Sequence, residues 1–206
     1  MIDDRAMMQR ALALAQGALG KVAPNPAVGC VIVKDDAVIA EAATGAGGRP
    51  HAEEAALAQL GGRADGATAF VTLEPCAHVS ARGPACAPNL VQSGVTRCII
   101  ACEDPDPRTA GAGVQMLRAA GVDVELGLCE GEAQALNAGF FKLLRTGRPL
   151  VVADADASTY DGKFLLGPHE SFEEALDRMG REGLTRVRVA PGSPQEAALK
   201  SRNLLD

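Results

Sequence analysis

Four residues of this sequence have the chemistry of a metal centre with a proton-transfer group beside it. His51 and Glu53 lie two positions apart, and two thiols follow them at Cys76 and Cys86. Zinc prefers nitrogen and sulfur ligands, and a catalytic zinc keeps three protein ligands and leaves a fourth position for water. A carboxylate next to such a water can move its protons. We therefore expect His51, Cys76 and Cys86 to bind Zn²⁺ and Glu53 to act in catalysis.

The order of these residues is typical of one class of enzyme. The tripeptide His51-Ala52-Glu53, followed by Pro75-Cys76 and a later cysteine, is the signature of the zinc-dependent deaminases. The alternative is a closed structural zinc site, which needs four ligands. His78 is the one further candidate ligand nearby, and only three good donors cluster in the sequence, which favours an open catalytic site.

Composition limits the class of protein. The chain has 206 residues, of which 47% are hydrophobic and 22% charged, as in an ordinary soluble globular protein with one domain or one domain and an appendage. The net charge is −6, and no run rich in lysine or arginine appears, so nucleic acid is not an expected partner. No apolar run reaches the length that spans a membrane, so a membrane is not an expected partner either.

The cysteines and the first residues bear on location. Residues 1–4 are acidic and lead into an amphipathic pattern, which is not the pattern of a signal peptide. Six cysteines without such a signal are typical of reduced thiols in the cytoplasm, where we expect this protein.

The segments around the candidate site predict a layered α/β fold. Apolar periodicity and capping residues indicate five helices, at 4–19, 51–60, 86–93, 113–120 and 130–144, and five strands, at 28–33, 38–43, 69–73, 95–101 and 122–126. An initial hairpin followed by alternating strands and helices predicts a three-layer α/β/α sandwich with a mixed central sheet. His51 then begins a helix and Cys76 follows the carboxyl end of a buried strand, where open α/β sheets bind ligands.

Several motifs together resemble one family. Pro24-Asn25-Pro26, Pro50-His51-Ala52-Glu53 and Thr72-Leu73-Glu74-Pro75-Cys76 look like the deaminase domain of the bifunctional riboflavin-biosynthesis deaminase/reductase (the RibD type), in the cytidine deaminase-like superfamily. The resemblance covers residues 3–148. It includes the ten-residue step from Cys76 to Cys86, where many other deaminases have three.

This resemblance implies a reaction and a set of site residues. The reaction is hydrolytic removal of the 2-amino group of 2,5-diamino-6-ribosylamino-4(3H)-pyrimidinone 5′-phosphate, with Glu53 as proton shuttle beside zinc. The positions that would contact the base or the ribose phosphate are Asn25, His78, Arg82, Asp104 and Asp106. Members of the family associate, so a homo-oligomer is expected.

Simpler interpretations exist for three of these positions. Asn25 can hold the backbone of its own Pro-Asn-Pro turn. Arg82 can be a solvated charge on a loop, and Asp104 can stabilise only the Asp-Pro turn in which it lies.

The sequence also departs from the family where the substrate would be recognised. Thr44 stands where the family usually has a histidine, Asp106 where it has an asparagine, and Ala112 where it has an arginine. These departures leave two alternatives open: a deaminase of another amino-heterocycle such as guanine, or a zinc-binding interaction module without catalysis.

The remaining residues, 149–206, resemble pieces of the family's reductase domain. Strands are predicted at 150–153 and 182–189, and helices at 172–179 and 195–202. Two strands and two helices are too few for a dinucleotide site, and Pro191 removes a backbone donor from the turn that would approach the phosphate. We expect a remnant without reductase activity, and therefore a separate reductase as the functional partner.

Overall fold

A five-stranded β-sheet forms the centre of the fold. The computed structural model describes residues 2–78, 83–107 and 110–206. Its first five strands are β1 (Gly29–Lys34), β2 (Ala37–Ala43), β3 (Thr68–Val71), β4 (Arg97–Ile100) and β5 (Asp123–Leu126). They lie in the order β2-β1-β3-β4-β5, with β1 antiparallel to both neighbours and β3, β4 and β5 parallel. The predicted mixed sheet is confirmed.

A tight turn joins β1 to β2, as the hairpin prediction requires. Asp35 and Asp36 both have positive φ, at 52° and 60°. Two-residue hairpin turns of this hand match the right-handed twist of the strands, and aspartate tolerates the left-handed region better than most residues. The hairpin places β2 at the edge of the sheet and β1 inside it, where Val31 and Ile32 are fully buried.

Helices cover both faces of this sheet, which confirms the three-layer sandwich. They are α1 (Asp4–Ala18), α2 (Ala52–Gln59), α3 (Cys86–Gln92), α4 (Ala112–Ala119), α5 (Glu130–Leu136) and α6 (Ala138–Thr146), with a short 3₁₀ helix at Ala46–Gly48. Helix α1 packs with α5, and α3 packs with both α2 and α4. Within the described ranges no helix is both long and apolar enough to cross a lipid bilayer.

The prediction of a single helix over residues 130–144 is wrong, because the helix is interrupted at Asn137 and forms α5 and α6. The backbone of Asn137 has φ −96° and ψ 18°. Its side chain is buried and exchanges two hydrogen bonds with Ala27: Oδ1 accepts from the Ala27 N–H at 2.9 Å, and Nδ2 donates to the Ala27 carbonyl at 2.9 Å. A partner 110 residues away thus competes with the helix for this asparagine.

The C-terminal residues form a second, smaller sheet with its own buried cluster. Strands β6 (Leu150–Ala153), β7 (Gly162–Lys163) and β8 (Arg186–Val189) are parallel and lie in the order β6-β8-β7, with helices α7 (Phe172–Arg181) and α8 (Pro194–Ser201). Both predicted helices and both predicted strands are present, and β7 is additional. The domain boundary at residue 148 stays a prediction.

Helix α6 is in contact with this C-terminal unit. Lys142 forms an ion pair with Asp206 at 2.5 Å. A Cβ on Gly139 would lie 2.5 Å from the carbonyl oxygen of Thr185, so only glycine permits the close approach. The C-terminal unit is therefore packed directly behind α6.

Candidate active site

The candidate residues meet at one edge of the five-stranded sheet. The segments that follow β3 and β4 carry Cys76 and Asp104, and the carboxyl ends of these parallel strands lie side by side. Since β1 runs antiparallel to β3, residues 24–28 before β1 reach the same edge, as does Thr44 after β2. This is the edge at which open α/β sheets bind ligands, as the sequence predicts.

Three metal-binding side chains converge there. One donor atom each from His51, Cys76 and Cys86 lies within 4.8 Å of the others, and this is the one such group of three found in the described part of the chain. Nδ1 of His51 lies 3.2 Å from Sγ of Cys86 and 3.7 Å from Sγ of Cys76. Tetrahedral zinc with the usual bond lengths separates a nitrogen and a sulfur ligand by about 3.5 Å. The three residues are therefore positioned to bind a zinc ion, and among the described residues the group holds three donors and not four.

The electrostatics of the two thiols suit a metal that binds thiolates. Hydrogen bonds from the Cys86 thiol and then from the His51 ring lower the pKa of Cys76 to about 4. The backbone N–H of Cys86 also donates to Sγ of Cys76 at 3.4 Å, from the first residue of α3. The hydrogen bond of the Cys86 thiol to Cys76, together with burial, raises the pKa of Cys86. Because metals bind the deprotonated thiol, zinc would displace the proton of Cys86 on binding.

Glu53 lies beside the donor atoms in the first turn of α2 and is only 3% exposed. Burial raises the pKa of its carboxyl group to about 7, and the nearby Cys76 adds to this effect. A carboxyl group that titrates close to neutral pH can both accept and release a proton, which is the property needed for general acid–base catalysis.

The candidate site opens into a cavity of about 420 Å³. Its size is that of a pocket for a small organic molecule. The predicted residues on its wall are Asn25, His51, Glu53, Cys76, His78, Asp104 and Asp106. Arg82, the remaining predicted contact, lies outside the described residues.

Asn25 has a structural role in addition to its place on the cavity wall. Its Nδ2 donates to the carbonyl oxygens of Val22 and Gly47, each at 3.2 Å. A Cβ on Gly48 would overlap this amide, so the glycine is required for the packing. The simpler interpretation of Asn25 as the brace of its own turn is therefore consistent with the structure, and a contact with substrate stays a prediction.

Two further cavity residues support the local backbone. Oδ1 of Asp104 accepts from the N–H of Asp106 at 2.9 Å, which is the Asp-Pro turn considered above. Burial, aided by the negative charge of Asp106, raises the pKa of Asp104 to about 6. Thr44, which replaces the family's histidine, accepts the N–H of Val28 on its Oγ1 at 2.9 Å. Thr44 thus joins the end of β2 to the loop before β1.

Glu74 has a structural role that the sequence did not predict. Its buried carboxylate accepts four backbone N–H groups: those of Gly113 and Val114 in the first turn of α4 at 2.9 and 3.1 Å, and those of Asp104 and Gly111 at 3.3 and 2.9 Å. A Cβ on Gly113 would overlap the carbonyl of Pro75, so α4 begins directly against this strand end. The sequence contains one indication of this role: Glu74 is an acid at the end of an apolar strand, and a charge buried there needs hydrogen-bond partners.

Replacement of Glu74 by glutamine is expected to destabilise the zinc-loaded protein by about 3 kcal/mol, because an amide N–H₂ would face backbone donors that need an acceptor. Urea unfolding measures the change in the free energy of unfolding. Glu132→Gln, at an exposed acid paired with Arg5, is the matched control and should change it by less than about 0.5 kcal/mol. A loss below about 1 kcal/mol for Glu74→Gln would contradict this role.

Other cavity residues also went unrecognised. Arg49 precedes the metal-binding segment, and Phe140, Leu143 and Leu144 from α6 form an apolar side of the cavity. The spacing of three and four residues in α6 shows an apolar face, but a sequence does not reveal whether such a face covers a core or a ligand.

The fold and the donor set together define a protein of the zinc-dependent deaminase class. Residues 1–102 match the family model for the "cytidine and deoxycytidylate deaminase zinc-binding region". The chain is 45% identical over 169 residues to riboflavin biosynthesis protein RibD of Haemophilus influenzae, a match that covers 82% of this chain and 45% of that protein. A structure of Acinetobacter baumannii RibD (form 1) superposes with a TM-score of 0.81 at 28% identity, over 98% of this chain and 84% of that one.

A shorter relative fixes the family more closely. The diaminohydroxyphosphoribosylamino-pyrimidine deaminase of Buchnera aphidicola subsp. Schizaphis graminum is 43% identical over 148 residues, which cover 72% of this chain and 100% of that protein. The chain belongs to this family of RibD-type deaminases. It spans about half the length of the longer RibD relatives that it matches, at 45% and 46% of the first two.

Proposed function

We propose that this protein catalyses the hydrolytic deamination of 2,5-diamino-6-ribosylamino-4(3H)-pyrimidinone 5′-phosphate in riboflavin biosynthesis. Water replaces the 2-amino group as a carbonyl oxygen, and ammonia leaves. The observation that carries the proposal is the placement of Glu53, buried and with a pKa of about 7, beside the His51, Cys76 and Cys86 donor set in one cavity. Full-length coverage of a relative named for this substrate supports it.

The residues divide the chemistry between them. His51, Cys76 and Cys86 would hold the zinc ion, which would supply Lewis-acid activation of the attacking water. Glu53 takes one proton from the attacking water and delivers it to the ring nitrogen as the new carbon–oxygen bond forms. Glu53 then takes the second proton from the new hydroxyl group and delivers it to the amine, so that the carbon–nitrogen bond breaks and ammonia leaves as a neutral molecule. A carboxyl pKa near 7 supports both directions of transfer.

The cavity wall suits a flat heterocycle with a polar edge. Phe140 and Leu143 offer an apolar face, and Asn25, His78 and Asp104 offer hydrogen-bonding groups around it. We assign these polar residues, together with Asp106 and Arg82, to contacts with the base and the ribose phosphate. Thr44 does not prevent this assignment, because its hydroxyl is engaged with the backbone of Val28.

The proposal also assigns residues 149–206 to a remnant of a reductase domain. Residues 149–206 form a three-stranded sheet with two helices, which supports a remnant of a reductase domain and not a working one. The pathway then needs a separate reductase to act on the product. The proposal also includes that the protein forms a homo-oligomer and is located in the cytoplasm.

The direct test is ammonia release by the purified, zinc-loaded protein from the phosphorylated diaminopyrimidinone, compared with guanine and with the dephosphorylated compound. We expect turnover of the phosphorylated substrate above both others. Faster turnover of guanine would refute the proposed substrate and favour a deaminase of another amino-heterocycle. Bound zinc without deamination of any compound would identify a non-catalytic zinc module. Rescue of a cell that lacks only the riboflavin deaminase, with a reductase supplied, tests the same activity in vivo.

A further inference from the structure

Two walls of the cavity come from distant parts of the chain, and neither carries a zinc donor. The segment before β1 supplies Pro24, Asn25, Pro26 and Val28, and α6 supplies Phe140, Leu143 and Leu144. The zinc donors and Glu53 lie on other segments, at the start of α2, after β3 and at the start of α3. A planar ring in the cavity must lie against these walls while its reacting carbon faces the donor set, so the separation of the walls affects the orientation of the ring.

One buried side chain joins the two walls. Asn137 stands directly before α6 and is 2% exposed. Its Oδ1 accepts from the N–H of Ala27 and its Nδ2 donates to the carbonyl of Ala27, each at 2.9 Å. The oxygen and the nitrogen of the amide thus both bind one residue near the end of the 24–28 segment.

The 24–28 segment has few other backbone donors to hold it in place. Two of its five residues are prolines, which have no backbone N–H. Of the three N–H groups that remain, one donates to Val22 in the same turn, and one donates to Thr44 after β2. The third is that of Ala27, so Asn137 supplies the hydrogen bonds between this segment and the start of α6.

The side chain of Asn137 holds the cavity wall and does not cap its own helix. Asparagine is one of the best residues directly before a helix, where its side chain usually accepts an N–H from the first turn. None of the described N–H groups of α6 donates to the side chain of Asn137. The bond that would stabilise α6 locally is therefore replaced by a contact with Ala27. Phe140 lies three residues after Asn137, so its place on the wall depends on the same residue.

We propose that Asn137 is a positioning residue, which fixes the separation of the 24–28 segment and α6 and thereby orients the substrate ring against the zinc donors and Glu53. This inference rests on the proposed function and adds to it the residue that sets the shape of the cavity. Asn137 is not among the described residues that line the cavity. It acts through Ala27 and Phe140, and it touches no reacting atom.

The competing interpretation is that Asn137 only stabilises the fold. Asn137→Ala removes both bonds to Ala27 and leaves the zinc donors and Glu53 in place. For the phosphorylated diaminopyrimidinone we expect kcat/KM to fall roughly ten- to a hundredfold, because a misplacement of about 1 Å can cost a hundredfold. Zinc content should stay at about one ion per chain. The kinetics are measured at a temperature where urea unfolding shows the variant to be folded.

The matched control is Ser93→Ala, which also removes a buried hydrogen bond but lies away from the cavity. The side chain of Ser93 is buried, and its Oγ donates to the carbonyl of Leu90 at 2.7 Å. This variant should be less stable than the unaltered protein and keep kcat/KM within about twofold. A folded, zinc-loaded Asn137→Ala that also keeps kcat/KM within about twofold would assign Asn137 to stability alone and overturn the proposal.

Amide hydrogen exchange of the zinc-loaded protein without substrate keeps the inference separate from the proposed reaction. In the unaltered protein the Ala27 N–H should exchange at least about tenfold more slowly than the N–H groups of exposed loops. Asn137→Ala should remove this protection and that of the first turn of α6, and leave α2 as protected as before. This result supports the fixed wall even if no deamination is found, in which case the proposed reaction alone fails. Rapid exchange of the Ala27 N–H in the unaltered protein refutes the inference, and this measurement needs no variant to fold.

Discussion

Glu53→Gln is expected to remove deamination and leave the zinc in place. General acid–base groups contribute about 10²- to 10⁴-fold, so kcat should fall by at least about a hundredfold. The amide has nearly the shape of the carboxyl group and carries no charge. Since burial already opposes ionisation of Glu53, a neutral side chain fits the same space without a penalty. The measurements are steady-state ammonia release and zinc content, which should stay at about one ion per chain.

Glu130→Gln is the matched control, because Glu130 also lies in the first turn of a helix but is exposed. Its kcat should not change. If Glu53→Gln retained more than about a tenth of the normal kcat with zinc bound, Glu53 would not be the proton shuttle.

Loss of one sulfur ligand is also expected to have a large effect, on both zinc content and turnover. Cys76→Ser leaves His51 and Cys86 as the remaining donors of the set, so zinc content should fall well below one ion per chain and turnover should be lost. Zinc also stabilises the folded chain by mass action, by about 2.7 kcal/mol when free zinc is a hundredfold above Kd. A chelator should therefore lower the melting temperature of the unaltered protein and have little effect on Cys76→Ser.

Cys129→Ser is the control for this experiment, since Cys129 lies outside the donor set. It should bind zinc and respond to the chelator as the unaltered protein does. Full zinc occupancy in Cys76→Ser would show that the ion is held by another set of ligands.

The features that sequence reasoning could locate are those with a local cause. The hairpin depends on two adjacent residues, Asp35 and Asp36, that accept positive φ. The strand before Cys76 is an apolar run that must be buried, and buried parallel strands deliver their next residues to one edge. The residue types and spacing of His51, Cys76 and Cys86 indicate zinc even without knowledge of the fold.

The features that it could not locate depend on distant partners. Asn137 breaks a helix because Ala27 needs its hydrogen bonds, and no property of residues 130–144 shows this. Glu74 gains its importance from N–H groups about 40 residues later, at Gly113 and Val114. Arg49 is an ordinary charged residue in the sequence, and only the fold brings it to the cavity.

The contact between α6 and the C-terminal unit has a consequence for the thermodynamics of binding. Association is opposed by the ordering of flexible side chains and segments in the site. Phe140 and Leu143 line the cavity on a helix that Gly139 and Lys142 hold against the second sheet and the chain terminus. This contact holds the apolar wall in place before a ligand enters, so less conformational entropy is lost there on binding. The C-terminal unit would then contribute to the affinity of the cavity without lining it.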